Sequence, residues 1–472
     1  MEEQAQGTLA VAERPDAAAG ADVPMPRANF ATVLRHSNFR NLWLGQVVSQ
    51  IGDYFAFLAM LVVVSGFESE AAATTQAVSG LMIALTLPRL LFGVLAGVFV
   101  DRWDRRRTMI VSDVLRAALS LGLIPAFLNH QLLVLYALAF ALSAVGTLFN
   151  PAKGALIPRL VPAEQLTAAN ALSQTSMMLA QFIGPALAGA TFAAAGSGNQ
   201  WVAFAINALS FLVSAVAILL IRVPQAQTVA PPAAGSTDGS ALRQVGQDLL
   251  VGLKALVLNR TIVILAVVFA VLNLGLGAIN VLWIVFLRTQ FGFTAADLAW
   301  RISVVDIAFA GGMVLSSVLV GNFAAHVAPK WMIAWGLIVA GAITMVMGAL
   351  PNYWLVVGAM GLVGLSVGPI NTGTTTLMQI VVPNRQLGRV GGGLGTVMDT
   401  ALLLSMGLAG VAATFLGIPI VFLLAGILCA GSGALGWALL PAQTLRDKVP
   451  DDEPETAPPA DVLTASGPPA AA

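Results

Sequence analysis

Apolar runs long enough to cross a membrane dominate the chain. A membrane-spanning helix needs roughly 20 consecutive apolar residues, and the runs lack the period-two alternation of a membrane β-strand. The pattern therefore predicts an all-α polytopic membrane protein with about twelve transmembrane helices. The predicted spans are roughly 40–66, 75–99, 108–128, 131–149, 166–195, 200–221, 261–288, 298–322, 330–350, 353–381, 387–414 and 417–440.

The basic residues predict the orientation of these spans. With the N-terminus placed inside, 19 of the 23 Lys and Arg residues fall on the inner side, and only Arg288 and Arg301 fall near the outer one. Lys and Arg concentrate in cytoplasmic loops of membrane proteins. We therefore expect a multi-pass protein of the cell membrane with both termini in the cytoplasm.

Polar segments divide the chain into five parts. Residues 1–38 and 441–472 are rich in Ala, Pro and acidic residues, which predicts a disordered cytoplasmic arm and a disordered cytoplasmic tail. Residues 222–260 predict a cytoplasmic linker, whose apolar residues at helical spacing indicate an amphipathic helix. The remaining ranges, 39–221 and 261–440, are predicted to be an N-terminal and a C-terminal six-helix bundle.

The two bundles resemble each other in sequence. In a single register, "VPAEQL" at 161–166 aligns with "VPNRQL" at 382–387, and Asn150 aligns with Asn371. Because six is an even number of spans, both copies have the same orientation. Parallel repeats of this kind occur in transporters, which place the substrate site between the halves near the middle of the membrane.

The composition of the chain argues against a nucleic-acid-binding protein, a disulfide-bonded protein and a metalloprotein. The chain is 58% hydrophobic and 10% charged, with a mean hydropathy of +0.85 and a formal net charge of zero, so lipid is the expected partner and nucleic acid is not. Cys429 is the single cysteine, and His36, His130 and His326 lie far apart. We expect no disulfide, no metal site and no cofactor, and a functional monomer.

Three short motifs resemble a known family. "GVFVDRWDRRRTMIVSDVLRA" at 97–117 resembles the loop 2–3 signature of the major facilitator superfamily, with Asp104 in place of a common Gly. "IGPALAG" at 183–189 is similar to the Gly-Pro motif of antiporters in this superfamily, through Gly184, Pro185 and Gly189. "QIGDYFAFLAM" in span one, together with "SDVLRA" in span three, resembles the drug/proton antiporter branch that contains macrolide and enterobactin exporters.

The resemblance implies a cytoplasmic gate around the charged loop. In the family, the loop aspartate lies under the N-terminus of span eleven, where the helix dipole favours an anion. Asp113 and Arg116 are three residues apart on span three, which allows them to pair. The predicted gate residues are Gly97, Asp101, Arg102, Arg105, Arg106, Asp113, Arg116 and Arg389.

Charged residues inside the spans are candidates for proton coupling, because such charges are expensive in lipid and usually functional. Asp53, Asp306 and Asp399 are these candidates. Asp53 and Arg89 lie at similar depth on consecutive antiparallel spans, so we expect Arg89 to be the ion-pair partner of Asp53. A static structural pair is the alternative role for these two residues.

The predicted function is proton-coupled efflux of small amphipathic compounds, drugs or metabolites, by alternating access. The alternatives are a siderophore or lysolipid exporter and, from other classes, a non-transporting membrane sensor or a membrane enzyme. No nucleophile–base set is visible in the sequence, so we predict that the protein is not an enzyme. Polar residues predicted to line the cavity are Gln46, Asn273, Asn280, Trp283 and Asn371.

Overall fold

The computed structural model describes residues 30–67, 71–195, 199–222, 259–323, 327–382 and 387–442. Besides two single-turn 3-10 helices at Ile157–Arg159 and Ala163–Gln165, the chain within these ranges forms one short and twelve long α-helices. They are α1 (Phe30–Arg35), α2 (Ser37–Phe67), α3 (Ala71–Arg102), α4 (Arg105–Leu128), α5 (Leu132–Leu156), α6 (Leu166–Ala195), α7 (Trp201–Leu219), α8 (Arg260–Phe291), α9 (Ala295–Phe323), α10 (Pro329–Met347), α11 (Tyr353–Val381), α12 (Leu387–Leu416) and α13 (Ile418–Leu439).

The long helices confirm the predicted all-α polytopic class. Among the described residues, eleven of them contain a stretch apolar enough to cross a membrane, and α6 is the twelfth long helix, with 30 residues. Several helices start where a side chain accepts a hydrogen bond from the first turn, which satisfies an otherwise unpaired backbone N–H. Asp104 accepts from the amide of Arg107 at 2.7 Å, and Asn259 accepts from the amide of Thr261 at 3.0 Å.

The helices form two six-helix bundles with the same internal packing. In the first bundle, α2 packs against α6 and α7, α4 against α5 and α7, and α3 against α5. In the second bundle the equivalent pairs recur: α8 packs against α12 and α13, α10 against α11 and α13, and α9 against α11. This equivalence confirms the two parallel repeats.

The repeat does not keep one register throughout. The starts of α5 and α11 are as far apart in sequence as the starts of α6 and α12, in agreement with the sequence alignment. On α4, however, the Ser112 hydroxyl donates to the carbonyl of Val145 at 3.1 Å, whereas on α10 the residue that faces the equivalent carbonyl, that of Ser366, is Gly336. Ser112 therefore corresponds to Gly336, a register three positions longer than that of the later helices.

The N-terminal arm is shorter than the predicted 1–38. Helix α1 and the start of α2 occupy 30–38, and Val33 is buried with Phe39 and Leu42 in an apolar cluster. The Asn38 side chain donates to the carbonyl of Arg222 at 2.8 Å and accepts from its amide at 3.0 Å, which joins the two ends of the first bundle. Residues 1–29, the linker with its predicted amphipathic helix over 223–258, and the tail from 443 lie outside the described residues.

Candidate functional site

The two bundles meet at one end of the molecule. We call the end at which α2 begins and α3 finishes the basic end, and the other the opposite end. Toward the opposite end α3 packs against α12: the hydroxyl of Thr86 lies 4.0 Å from the sulfur of Met406, and Ser79 lies against Gly410. Helices α6 and α9 form the second contact between the bundles. One apolar core, with residues from both bundles, fills this end.

The bundles are separate at the basic end. There each bundle has an apolar core of its own, around Phe39 and Phe149 in the first and around Leu265 and Leu377 in the second. At this level several glycines of α3 and α12 have no atom of the described residues within 4 Å of where a Cβ would stand: Gly93, Gly391, Gly392 and Gly395. Over the described residues, the halves are therefore open to each other at the basic end and closed at the opposite end.

A cluster of three charged side chains lies inside the first bundle. Nη2 of Arg116, on α4, is 3.0 Å from each carboxylate oxygen of Asp53, on α2. Nη1 of the same guanidinium is 3.9 Å from Oδ1 of Asp113, one turn away on α4. The side chain of Asp113 is 0% exposed, that of Arg116 is 12% exposed and that of Asp53 is 38% exposed. Two carboxylates thus share one guanidinium.

Aromatic and small residues hold the guanidinium in place. The Cζ atom of Arg116 lies 4.0 Å from the ring centroid of Phe211, on α7, which favours a cation electrostatically. Gly146, on α5, leaves room on another side, because a Cβ there would stand 3.7 Å from Nε of Arg116. Both carboxylate oxygens of Asp113 are buried, and the hydroxyl of Ser214, on α7, is the uncharged polar group beside them. The cluster is therefore rigidly placed but incompletely neutralised.

The predicted Asp53–Arg89 pair is wrong, since Asp53 pairs with Arg116. The packing of α2 explains the difference. Gly52 lies so close to α7 that a Cβ would stand 2.7 Å from Cβ of Ser210, and this contact turns the next residue toward the groove between α4 and α7. Arg89 is exposed on α3. The predicted pairing of Asp113 with Arg116 agrees with the structure.

The other two predicted acids lie in the second bundle and, among the described residues, form no ion pair with this cluster. Asp306, on α9, is half-buried and lies within electrostatic range of Tyr54, the residue after Asp53. Asp399, on α12, is half-buried in the part of the helix that faces the opening. The structure thus places Asp53, Asp306 and Asp399 on three different helices and in two different environments.

The Gly-Pro motif on α6 makes two close contacts with neighbouring helices, at Gly184 and at Gly189. At Gly184 a Cβ would stand 2.6 Å from Cδ2 of Tyr54, so only glycine admits the tyrosine ring from α2. At Gly189 a Cβ would stand 2.7 Å from Cβ of Ser303 and 3.2 Å from Cα of Trp300, both on α9 of the other bundle. Pro185 lies within the helix between these two contacts. Gly189 is therefore part of the closed contact at the opposite end.

The predicted cavity residues occupy different surroundings. Gln46 is buried and lines a small cleft between α2, α5 and α6 together with Trp43, Gln50 and Lys153. The indole of Trp43 donates to the hydroxyl of Ser176 at 2.5 Å at the edge of this cleft. Lys153 lies beyond the predicted span 131–149, and neither Lys153 nor Gln50 is among the residues predicted to line the cavity.

The remaining cavity candidates lie in the second bundle. The Asn273 amide is buried and donates within its own helix to Phe269 at 2.7 Å, and Asn280 likewise donates to Leu276 at 3.0 Å. Trp283 is half-buried and Asn371 is exposed. The four residues do not form one cluster with Gln46.

Of the predicted gate residues, the structure describes the surroundings of four. Besides Asp113 and Arg116, Arg106 donates to the carbonyls of Ile218 at 3.1 Å and Leu219 at 2.5 Å, which ties the start of α4 to the end of α7. Arg105 is half-buried at the start of α4. The side chains of Gly97, Asp101, Arg102 and Arg389 lie outside the described part, so the gate remains a prediction.

Comparison with protein families decides the identity of the fold. The family model of the Major Facilitator Superfamily matches residues 42–294 and again residues 265–469. The chain belongs to the Major Facilitator Superfamily. It is therefore a multi-pass transporter and not an enzyme, as the sequence motifs predict.

Individual relatives agree with this assignment. Macrolide efflux protein A of Streptococcus pyogenes is 28% identical over 398 residues, which cover 83% of this chain and 93% of the relative. The putative bacilysin exporter BacE of Bacillus subtilis is 31% identical over 186 residues, 39% of this chain and 44% of the relative. These matches make the chain a superfamily transporter with efflux proteins among its homologues.

Solved structures support the fold alone. The nucleoside transporter NupG superposes with a TM-score of 0.65 at 13% identity and covers 85% of this chain and 100% of its own. A bacterial homologue of the lysosomal transporter Spinster, solved in an inward-facing and unoccupied conformation, superposes with a TM-score of 0.64 at 16% identity and covers 91% of this chain and 100% of its own.

Proposed function

We propose that the protein exports small amphipathic compounds in exchange for protons, with the basic end facing the cytoplasm. The 19-to-2 bias of basic residues supports this orientation. In it, the opening between the bundles faces inward, and both chain termini are cytoplasmic. The likeness to macrolide and bacilysin exporters supports the direction of transport.

The observation that carries the proton coupling is the cluster of Asp53, Asp113 and Arg116. With both carboxylates ionised it holds one negative charge in excess, and one bound proton brings it to neutrality. A medium of low dielectric constant strongly favours the neutral form. Asp53 is the group through which we expect the proton to enter, because its side chain keeps 38% exposure whereas Asp113 is enclosed.

The second bundle supplies an internal comparison. In the register that aligns Ser112 with Gly336, Asp113 corresponds to Leu337 and Arg116 corresponds to Ala340, and Leu337 is fully buried. Helix α10 thus carries apolar residues at the positions where the equivalent helix α4 carries charges. Because apolar replacements of a buried ion pair are often neutral or stabilising, packing alone does not account for the charges.

The cleft around Gln46 supports an amphipathic substrate. Its lining combines the apolar side chains of Phe39 and Leu42 with the amides of Gln46 and Gln50 and the amine of Lys153. Its volume of about 10 Å³ is room for about one water, so it can receive only a small group of a substrate that combines apolar and polar parts. A siderophore or a lysolipid also combines apolar and polar parts. These alternatives differ from a small drug or metabolite in the size of the substrate.

Transport in inside-out vesicles tests the proposal. Inside-out vesicles expose the cytoplasmic side, so export appears as uptake of a macrolide or a cationic dye when the lumen is acidified. We expect Asp53→Asn to abolish this uphill uptake and to leave downhill exchange of the same compound. Asp297→Asn is the control, because Asp297 lies at the opposite end, outside the cluster, and accepts a hydrogen bond from the hydroxyl of Thr294 at 2.7 Å.

Two outcomes would contradict the proposal. If Asp53→Asn transports uphill as well as the control does, the cluster is not the proton site. If neither a proton gradient nor its collapse changes uptake by the wild-type protein, the transport is not proton-coupled. Uptake without any response to collapse of the gradient would favour a facilitator.

A further inference from the structure

Two charged residues face the opening from opposite bundles without a partner. Arg89 is exposed on α3, in the first bundle, and Asp399 is half-buried on α12, in the second. Within the described residues neither side chain forms an ion pair or a hydrogen bond. A charge deep in a membrane-spanning helix is expensive unless water or an opposite charge meets it.

The contact between α3 and α12 fixes the relative height of these two residues. The helices run antiparallel and meet at Ser79 and Gly410, near the opposite end. From there toward the basic end, Arg89 follows Ser79 by ten residues and Asp399 precedes Gly410 by eleven. At 1.5 Å per residue these paths are about 15 and 16.5 Å long, and from the contact of Thr86 with Met406 they are about 4.5 and 10.5 Å long. The two charges therefore lie within about one helical turn of the same depth.

Helical periodicity places both residues on the faces that meet. Thr86 and Met406 are in contact across the interface at 4.0 Å. Asp399 precedes Met406 by seven residues, two turns, and therefore lies on the same face of α12. Arg89 follows Thr86 by three residues, so it adjoins Thr86 on one face of α3.

We propose that Arg89 and Asp399 form an ion pair between α3 and α12 when the basic end closes. In the open state the water in the opening solvates each charge separately. Closure extends the existing α3–α12 contact toward the basic end and expels that water. Pairing then supplies the compensation that water no longer gives, so the pair favours the closed state.

Cross-linking tests whether the two positions meet. In a Cys429→Ala background, which removes the sole cysteine, we expect Arg89→Cys with Asp399→Cys to form a disulfide under mild oxidation. Arg89→Cys with Thr400→Cys is the control, because Thr400 is exposed next to Asp399 but about 100° around the helix. Equal rates of cross-linking in the two pairs would overturn the proposal.

Spin-label distances test whether the Arg89–Asp399 pair stabilises the closed state of the basic end. Exposed positions 220 and 439, at the basic ends of α7 and α13, report the opening. We expect Arg89→Gln and Asp399→Asn each to lower the ratio of closed to open molecules by about fivefold. The double neutral variant should lower the ratio no further, and the swap of Arg89→Asp with Asp399→Arg should restore it.

Additive effects of the two neutral variants, or a swap no better than either, would show that the charges act separately and would overturn the proposal. If a charge variant does not fold, the cross-linking comparison decides alone, because it contains no charge at either position. Neither measurement needs a transported compound, so the result is independent of the proton-coupled export proposed above.

Discussion

Gly189 offers a way to shift the molecule between its two states. A Cβ at this position would stand 2.7 Å from Cβ of Ser303 and 3.2 Å from the backbone Cα of Trp300, both in the other bundle. Gly189→Ala must therefore push α6 and α9 apart. Overpacking of this kind costs about 1–3 kcal/mol, and it acts only in the state in which the two helices touch. The ratio of opposite-end-closed to opposite-end-open molecules should fall by about 5- to 150-fold.

Spin labels at positions 133 and 354 measure this shift, because both are exposed at the opposite end, at the starts of α5 and α11. We expect a longer distance component to appear in Gly189→Ala. Gly407→Ala is the matched control, since a Cβ there meets no atom of the described residues within 4 Å. If Gly189→Ala gives the same distances as this control, or lowers the melting temperature without moving the distances, the reasoning is refuted.

Two other contacts and the predicted topology give three more tests. Gly184→Ala should displace the ring of Tyr54 and lower transport by about 5- to 150-fold at equal expression, since overpacking costs about 1–3 kcal/mol. Arg116→Gln should destabilise the protein by about 3–5 kcal/mol in thermal melts, and adding Asp113→Asn should restore part of this loss, because it removes the uncompensated buried charge. A cysteine at Asp238 should resist impermeant maleimide in intact cells; labelling from outside would reverse the predicted topology.

The sequence predicted the helices well because membrane insertion depends on local composition. The spans predicted at 166–195 and 417–440 lie within one residue of α6 and α13 at both ends. The span predicted at 131–149 was too short, since it was ended at Pro151, whereas α5 continues through this proline to Leu156. A proline is tolerated there because neighbouring helices satisfy the freed backbone groups.

The sequence did not predict the position of Lys153 or the partner of Asp53, because both depend on packing between helices that are far apart in the chain. Because the predicted span ends before Pro151, Lys153 was expected in a loop, whereas it lines the cleft between α2, α5 and α6. The partner of Asp53 depends on the rotation of α2, and Gly52 sets that rotation through its contact with α7, a helix far along the chain. By contrast, the pairing of Asp113 with Arg116 follows from helical spacing alone, so the sequence could predict it.

The two charge sites together give a physical reason for coupling closure to protonation. Closing the basic end expels water from the opening, so each site must then be neutral as a whole. The Arg89–Asp399 site becomes neutral by pairing. The cluster around Arg116 has two carboxylates for one guanidinium, so it becomes neutral only when it binds a proton. An unprotonated protein should therefore resist closure of the basic end.

This reasoning predicts how the basic-end distance depends on pH. In the wild-type protein, the closed fraction reported by labels at 220 and 439 should fall as the pH rises, because the cluster loses its proton. In Asp53→Asn one carboxylate is gone and the cluster is neutral without a proton, so the closed fraction should stay high at every pH. Asp306 is the other acid near this part of α2, within electrostatic range of Tyr54, and Asp306→Asn should leave the pH dependence in place. A pH dependence that survives Asp53→Asn but disappears in Asp306→Asn would move the proton site to α9.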